Sequence, residues 1–123
     1  MVEIILSLKP WWWQAIVKGE KTVEIRKTIP RAGMPFKVFV YETKFQGRGK
    51  IVGEFMARRF WSNYKNSDGG ASGLTDAEIL KYGQGKAYGW EISEVQKYPI
   101  AKCLQEFGFN RPPQSWCYVK GSR

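Results

Sequence analysis

The chain has 123 residues, a formal net charge of +9, 15% aromatic residues and no histidine. Without histidine, a serine–histidine nucleophile and the usual zinc sites are excluded, so any catalysis must use lysine, carboxylate or hydroxyl groups. The length predicts one domain over residues 1–123, and the lack of a signal-peptide pattern or long apolar span predicts a cytoplasmic protein with no membrane partner.

Basic charge together with aromatic side chains favours a nucleoside or RNA as the ligand. The alternative is that the aromatic residues mostly fill the core and the lysines mostly keep the protein soluble. The two cysteines, Cys103 and Cys117, have no metal-ligand spacing and predict small buried thiols rather than a disulfide. We therefore expect no bound metal and no cofactor.

The hydrophobic pattern predicts six strands and two longer helices. The strands are expected at residues 3–8, 21–28, 36–43, 50–61, 90–98 and 116–120. Pro10 opens the first helix, which Gly19 ends, and a capping box from Thr75 to Glu78 opens the second. Gly53 suggests a bulge, Pro99 is expected to end the fifth strand, and the polar segment 62–73 predicts a mobile loop.

The most informative segment covers residues 19–27, in which charged side chains alternate with apolar ones on a predicted strand. Val23 and Ile25 face one side, while Thr22, Glu24 and Arg26 face the other. A carboxylate and a guanidinium two residues apart on one face suit a site that moves a proton or holds a polar ligand. The alternative is a solvated face with an ion pair that contributes little.

Several motifs resemble the ASCH domain, a branch of the PUA-like superfamily. The most specific is Gly-x-Lys-Thr-x-Glu-x-Arg at residues 19–26, and the other matching segments are residues 5–10, 41–43, 51–54 and 111–116. Their order covers nearly the whole chain. The resemblance implies an α+β fold, a small mixed β-barrel with flanking helices, and a cleft that takes RNA or a nucleobase.

Members of this family bind RNA, cleave RNA or remove acyl groups from N4-acetylcytidine. Lys21 matches the lysine of the deacylating members, whereas Glu24 stands where they have threonine, and Glu78 is the nearest match for their glutamate. From the resemblance we expect Lys21, Glu24 and Arg26 to be catalytic. Further contacts to substrate are expected from Lys9, Trp11, Thr22, Glu42 and Ser115.

Three functions remain open. The first is metal-independent hydrolysis of N4-acylated cytidine, with Lys21 of lowered pKa as base or nucleophile, Glu24 activating water and Arg26 stabilising negative charge. The second is an RNA-binding module in which no bond is broken. The third is ribonuclease activity, in which the same lysine and arginine stabilise a cyclising phosphate. We also expect Lys21→Ala to abolish activity or binding while leaving the melting temperature nearly unchanged.

Overall fold

Six β-strands and two α-helices make up the fold of the computed structural model, which describes residues 1–68 and 72–122. The helices are α1 (Pro10–Val17) and α2 (Asp76–Gly83). The strands are β1 (Val2–Leu8), β2 (Val23–Arg26), β3 (Phe36–Glu42), β4 (Lys50–Trp61), β5 (Tyr88–Lys102) and β6 (Trp116–Tyr118). Single 3-10 turns lie at Asn66–Asp68 and Leu104–Phe107.

The strands form one mixed sheet in the order β2-β5-β4-β3-β1-β6. Only β1 and β3 run parallel among the strand pairs of the described residues, and the chain between them includes α1 and β2. The sheet curls until its edge strands meet through side chains, because the Arg26 guanidinium reaches Ser115 and the Trp116 indole donates to Thr28 Oγ1 at 2.9 Å. The expected α+β fold, a small curled mixed β-barrel with flanking helices, is confirmed.

The main core lies inside the curl, between α1 and the concave face of the sheet. Trp13 and Ile16 of α1 are almost fully buried there, in the same hydrophobic cluster as Trp90 of β5 and Phe36 of β3. The rings of Phe36 and Trp90 pack edge to face with centroids 5.1 Å apart. Because this helix face is fixed in the core, the position of every other side chain on α1 is also determined.

The predicted elements are present, with shifted ends. The second strand is shorter than expected, at Val23–Arg26, and the capping box is formed at Thr75 and Glu78. The expectation that Pro99 ends the fifth strand is wrong, since β5 continues to Lys102. Pro99 lies where the pairing with β4 slips, between the pairs at Lys97 and Lys102, so its missing N–H costs no regular ladder bond.

The predictions of a mobile loop at residues 62–73 and of buried cysteine thiols can be compared with the structure in part. Residues 69–71 of the predicted mobile loop lie outside the described residues, while its described parts include the buried side chains Tyr64 and Ser72. Both cysteines are free, but Cys103 is exposed and Cys117 only half-buried. The prediction of buried thiols is therefore wrong, because Cys103 follows the end of β5 and begins a surface turn.

Gly53 sits beside the predicted irregularity of β4, where the pairing with β3 skips a residue. A Cβ atom at Gly53 would lie 2.5 Å from Trp13 Cζ2 and 2.5 Å from the Gln96 carbonyl oxygen. We therefore expect Gly53→Ala to lower the free energy of unfolding by about 3 kcal/mol, measured by urea denaturation. Gly33→Ala is the control, expected to cost only roughly 1 kcal/mol for its positive φ, because its Cβ would meet open space. Equal urea midpoints for Gly53→Ala and wild type would contradict this packing.

Candidate functional site

A cleft of about 270 Å³ opens between α1, β2 and α2. Its wall combines one aromatic ring from α1, three charged side chains from β2 and the residues just before it, and side chains of α2 and the segment before that helix. The lining residues are Trp12, Lys21, Glu24, Ile25, Arg26, Leu74, Glu78 and Tyr82. The structure thus brings Lys21, Glu24 and Arg26 to one cleft.

Lys21 is buried at the floor of this cleft, with 4% of its surface exposed. Its Nζ donates to the carbonyl oxygens of Val23, at 2.8 Å, and Ser72, and lies 3.4 Å from Glu24 Oε1. The three N–H groups of the ammonium therefore each have an acceptor. Burial lowers the pKa of Lys21, with a smaller contribution from Arg26, and Glu24 opposes both by favouring the charged form.

Glu24 is buried between two cations. Its Oε2 accepts from Arg26 Nε at 2.7 Å, while Oε1 faces Lys21. Arg26 also donates through Nη1 to Ser115 Oγ at 3.0 Å and through Nη2 to the Ser7 carbonyl oxygen at 3.3 Å. These bonds use three of the five guanidinium N–H groups, so among the described contacts two are left for a ligand.

The local sequence explains why these groups converge. Gly19, with φ of +79°, ends α1, and the Lys21 N–H turns back to the Ala15 carbonyl at 3.1 Å. This turn puts the Lys21 ammonium 5.0 Å from the centroid of the Trp12 ring. Strand alternation then directs Glu24 and Arg26 to the same face. That face lies inside the curl, so the ionic face of the predicted strand is buried rather than solvated.

The other expected contact residues divide into two groups. Ser115 joins the site through its bond to Arg26. Lys9, Trp11, Thr22 and Glu42 do not line the cleft.

Each of these four has an identifiable position elsewhere. Lys9 is exposed at the start of α1, and Trp11 is 47% exposed on its outer side. Thr22 is exposed and borders a different cavity, beside Arg59. Glu42 accepts from the Arg48 N–H at 2.8 Å and lies in a cavity on the other flank of α1.

The sequence analysis predicted Trp11 as the tryptophan that contacts substrate, whereas Trp12 is the one that lines the cleft. The tryptophans at 11, 12 and 13 lie about 100° apart around the helix, and Trp13 is buried, which leaves Trp12 on the cleft side. Tyr82 was missed because nothing in the sequence fixes which face of α2 meets β2. Glu78 does line the cleft, yet its Oε1 accepts from the Thr75 N–H at 2.9 Å in the capping box.

Residues 1–68 and 72–122 contain neither a metal-binding cluster nor a membrane-spanning helix. No group of three or more His, Cys, Asp or Glu side chains in this part of the chain could hold a metal ion. None of the helices described there has both the length and the apolar character needed to cross a membrane.

Comparison with known proteins identifies the family, although no family model matches the chain. An ASCH domain-containing ribonuclease from Zymomonas mobilis is 30% identical over 132 residues, which cover 96% of this chain and 84% of the relative. The crystal structure of ASCH from Zymomonas mobilis has a TM-score of 0.77 at 24% identity, covering 97% of this chain and 88% of that one. A tyrosine-to-phenylalanine variant of the same protein also gives 0.77, at 22% identity, with coverage of 97% and 91%. The chain therefore belongs to the ASCH domain family.

Proposed function

We propose that this protein cleaves single-stranded RNA in the cleft between α1, β2 and α2. The observation that carries the proposal is the buried Glu24 carboxylate, held between Lys21 and Arg26 in a cleft walled by Trp12. The name of the Zymomonas mobilis relative supports RNA as the substrate. The net charge of +9 supports it independently, because basic surfaces attract phosphate.

The cleft has the parts needed to hold one nucleotide. Single-stranded RNA is recognised mainly by stacking its unpaired bases on aromatic rings. Trp12 and Tyr82 line the cleft and offer such rings. The spare N–H groups of Arg26 then face the backbone phosphate, since guanidinium donors match phosphate oxygens in geometry and charge.

The proposed reaction is an attack of the ribose 2′-oxygen on the adjacent phosphorus. Glu24 accepts the proton of the 2′-hydroxyl group, and the new P–O2′ bond forms as the P–O5′ bond breaks. Arg26 stabilises the negative charge on the phosphate oxygens. Once Glu24 has taken up the proton, the Lys21 N–H that faced it is free, and Lys21, whose pKa burial lowers, donates a proton to the departing 5′-oxygen. The products are a 2′,3′-cyclic phosphate and a 5′-hydroxyl end.

A second function, hydrolysis of N4-acylcytidine, is favoured by the size of the cleft. A volume of about 270 Å³ beside one tryptophan ring is just below the roughly 300 Å³ at which small-ligand pockets start, which suits a single small nucleoside better than a long strand. In this reaction Glu24 would take a proton from water, which attacks the acyl carbon. Lys21 would then protonate N4 as the bond between the acyl carbon and N4 breaks, giving cytidine and the free acid.

One experiment separates these functions. Purified protein is incubated with end-labelled single-stranded RNA and, separately, with N4-acetylcytidine, and products are identified by mass spectrometry. We expect RNA fragments ending in 2′,3′-cyclic phosphate, and no cleavage at a position carrying a single 2′-deoxy substitution, because that position lacks the nucleophile. If RNA stays intact while N4-acetylcytidine is converted to cytidine, the protein is an N4-acylcytidine hydrolase and not a ribonuclease. If both substrates remain intact while RNA still binds, the protein is a binding module.

RNA binding itself is expected to depend steeply on salt. Each phosphate contact contributes about −0.7 to the slope of log affinity against log salt for a single strand. A slope near zero, measured by fluorescence anisotropy with a 2′-O-methyl octamer, would contradict binding through several phosphates.

A further inference from the structure

A second cleft, of about 400 Å³, lies on the opposite flank of α1 from the Lys21–Glu24–Arg26 cleft. Three cationic side chains line it, namely Lys18 at the end of α1, Arg48 in the hairpin between β3 and β4, and Lys97 of β5. Trp13 forms part of its apolar wall, and the buried Glu42 contributes a carboxylate.

The three cations of this second cleft form no ion pair with a carboxylate of the described residues. Among the described residues, the ion pairs within 4.0 Å involve none of Lys18, Arg48 and Lys97. Glu42 uses Oε1 to accept from the Arg48 backbone N–H at 2.8 Å, which fixes the hairpin. A carboxylate has two oxygens with further lone pairs, so Glu42 can still accept from a ligand.

The helix between the two clefts presents an exposed aromatic ring. At 100° per residue, Trp12 and the side chains facing the second cleft lie on opposite sides of α1, with Trp11 on the outer side between them, next to Lys18 at the edge of the second cleft. Trp11 is 47% exposed there. An α-helix is about 10–12 Å wide with its side chains, so a few nucleotides of an extended strand can cross it.

We propose that a single RNA strand held in the Lys21–Glu24–Arg26 cleft continues across α1 into the second cleft. One base stacks on Trp11 as the strand crosses. The phosphates that follow meet Lys18, Arg48 and Lys97, and Glu42 accepts a hydrogen bond from the exocyclic amine of a base. This extends the proposed function by giving it a substrate of several nucleotides and a preference for amino-bearing bases over uracil.

Charge complementarity supports this occupant. Cations without carboxylate partners match a phosphodiester chain, and an exposed tryptophan matches the face of an unpaired base. Lys9 lies at the start of the same helix and adds to its positive charge. Two residues that the sequence predicted as substrate contacts, Trp11 and Glu42, therefore lie on this one path.

The test measures binding of 2′-O-methyl oligonucleotides, which cannot be cleaved, by anisotropy. The double charge reversal Arg48→Glu/Lys97→Glu is expected to weaken octamer binding at least tenfold and to reduce the magnitude of the salt slope by about 1.4, the contribution of two phosphates. Trp11→Ala is expected to weaken octamer binding about tenfold. Lys120→Glu, an exposed lysine after β6, should change octamer affinity less than twofold. A mononucleotide should bind all these variants as it binds wild type.

Base preference gives a second readout. Wild type should bind a C octamer more tightly than a U octamer, and Glu42→Gln should narrow that difference, since an amide is a weaker acceptor but can still bond the Arg48 N–H. Unchanged octamer affinity in both Trp11→Ala and the double reversal would overturn the path across α1. If octamer binding is weakened in Trp11→Ala and in the double reversal, yet RNA is never cleaved, the path across α1 is supported and the proposed cleavage is wrong.

Discussion

Replacing Glu24 by Gln is expected to lower kcat for RNA cleavage about a thousandfold while changing the Kd for uncleavable RNA only a few-fold. The glutamine keeps the shape of the side chain, and its amide oxygen can still accept the hydrogen bond from Arg26 Nε. In the wild-type protein this bond joins Nε to Glu24 Oε2 at 2.7 Å. It cannot take up the proton of the 2′-hydroxyl group, and general acid–base catalysis contributes roughly 10²–10⁴-fold to such reactions. Single-turnover cleavage and anisotropy measure the two quantities separately.

Glu94→Gln is the matched control for this variant. Glu94 also pairs with an arginine, Arg58, but both side chains are about half exposed and lie outside the cleft. This control should cleave RNA at the wild-type rate. A Glu24→Gln protein that cleaves equally well would rule out Glu24 as the base, and a parallel loss of binding and rate would make it a binding residue only.

Replacing Lys21 by Ala is expected to lower the free energy of unfolding by about 3–5 kcal/mol, as breaking buried ion pairs does. The variant leaves the Glu24 carboxylate buried with one cation fewer and removes the donor to the Val23 and Ser72 carbonyls. The burial of Lys21 therefore replaces the sequence-based expectation of a nearly unchanged melting temperature with the prediction of a marked loss of stability. Urea denaturation measures the loss, and Lys81→Ala, an exposed lysine of α2, should stay within about 0.5 kcal/mol of wild type.

A double variant isolates the ion pair from the rest of the effect. Lys21→Ala/Glu24→Ala removes both charges, so it should be less destabilised than the sum of the two single variants. Strict additivity would mean that Lys21 stabilises the fold through the two carbonyl groups alone.

The free energy of unfolding that Lys21 contributes is expected to change with pH in a defined direction. Because burial lowers the pKa of Lys21, the folded protein binds this proton less tightly than the unfolded chain does. Stability from Lys21 therefore rises with pH up to its ordinary value of 10.5. Burial raises the pKa of Tyr98, so its titration lowers stability as the pH rises above 10. Tyr98 is present in both wild type and Lys21→Ala, and its effect cancels in the difference between them. The stability difference between wild type and Lys21→Ala should widen from pH 7 towards pH 10, and a constant difference would contradict the lowered pKa.

Sequence reasoning succeeded where a short-range pattern determines structure. The alternation in residues 19–27 correctly put Glu24 and Arg26 on one face, and the capping-box spacing located the start of α2. It failed where the answer depends on tertiary packing. Helical periodicity could not decide whether Trp11 or Trp12 faces the cleft, because that depends on how Trp13 seats in the core. Pro99 could not be placed either, since the slip in pairing between β4 and β5 involves residues far apart in the chain.

Arg26 also has a consequence for how the barrel can change over evolution. The guanidinium joins β2 to Ser7 at the end of β1 and to Ser115 just before β6, so it ties together the two free edges of the curled sheet. Exposed strand edges invite pairing with other chains. A mutation that replaces Arg26 would also remove these contacts between the two edges of the sheet and would favour strand exchange between molecules. New activities on this scaffold should therefore arise more easily at Glu24 or Trp12 than at Arg26.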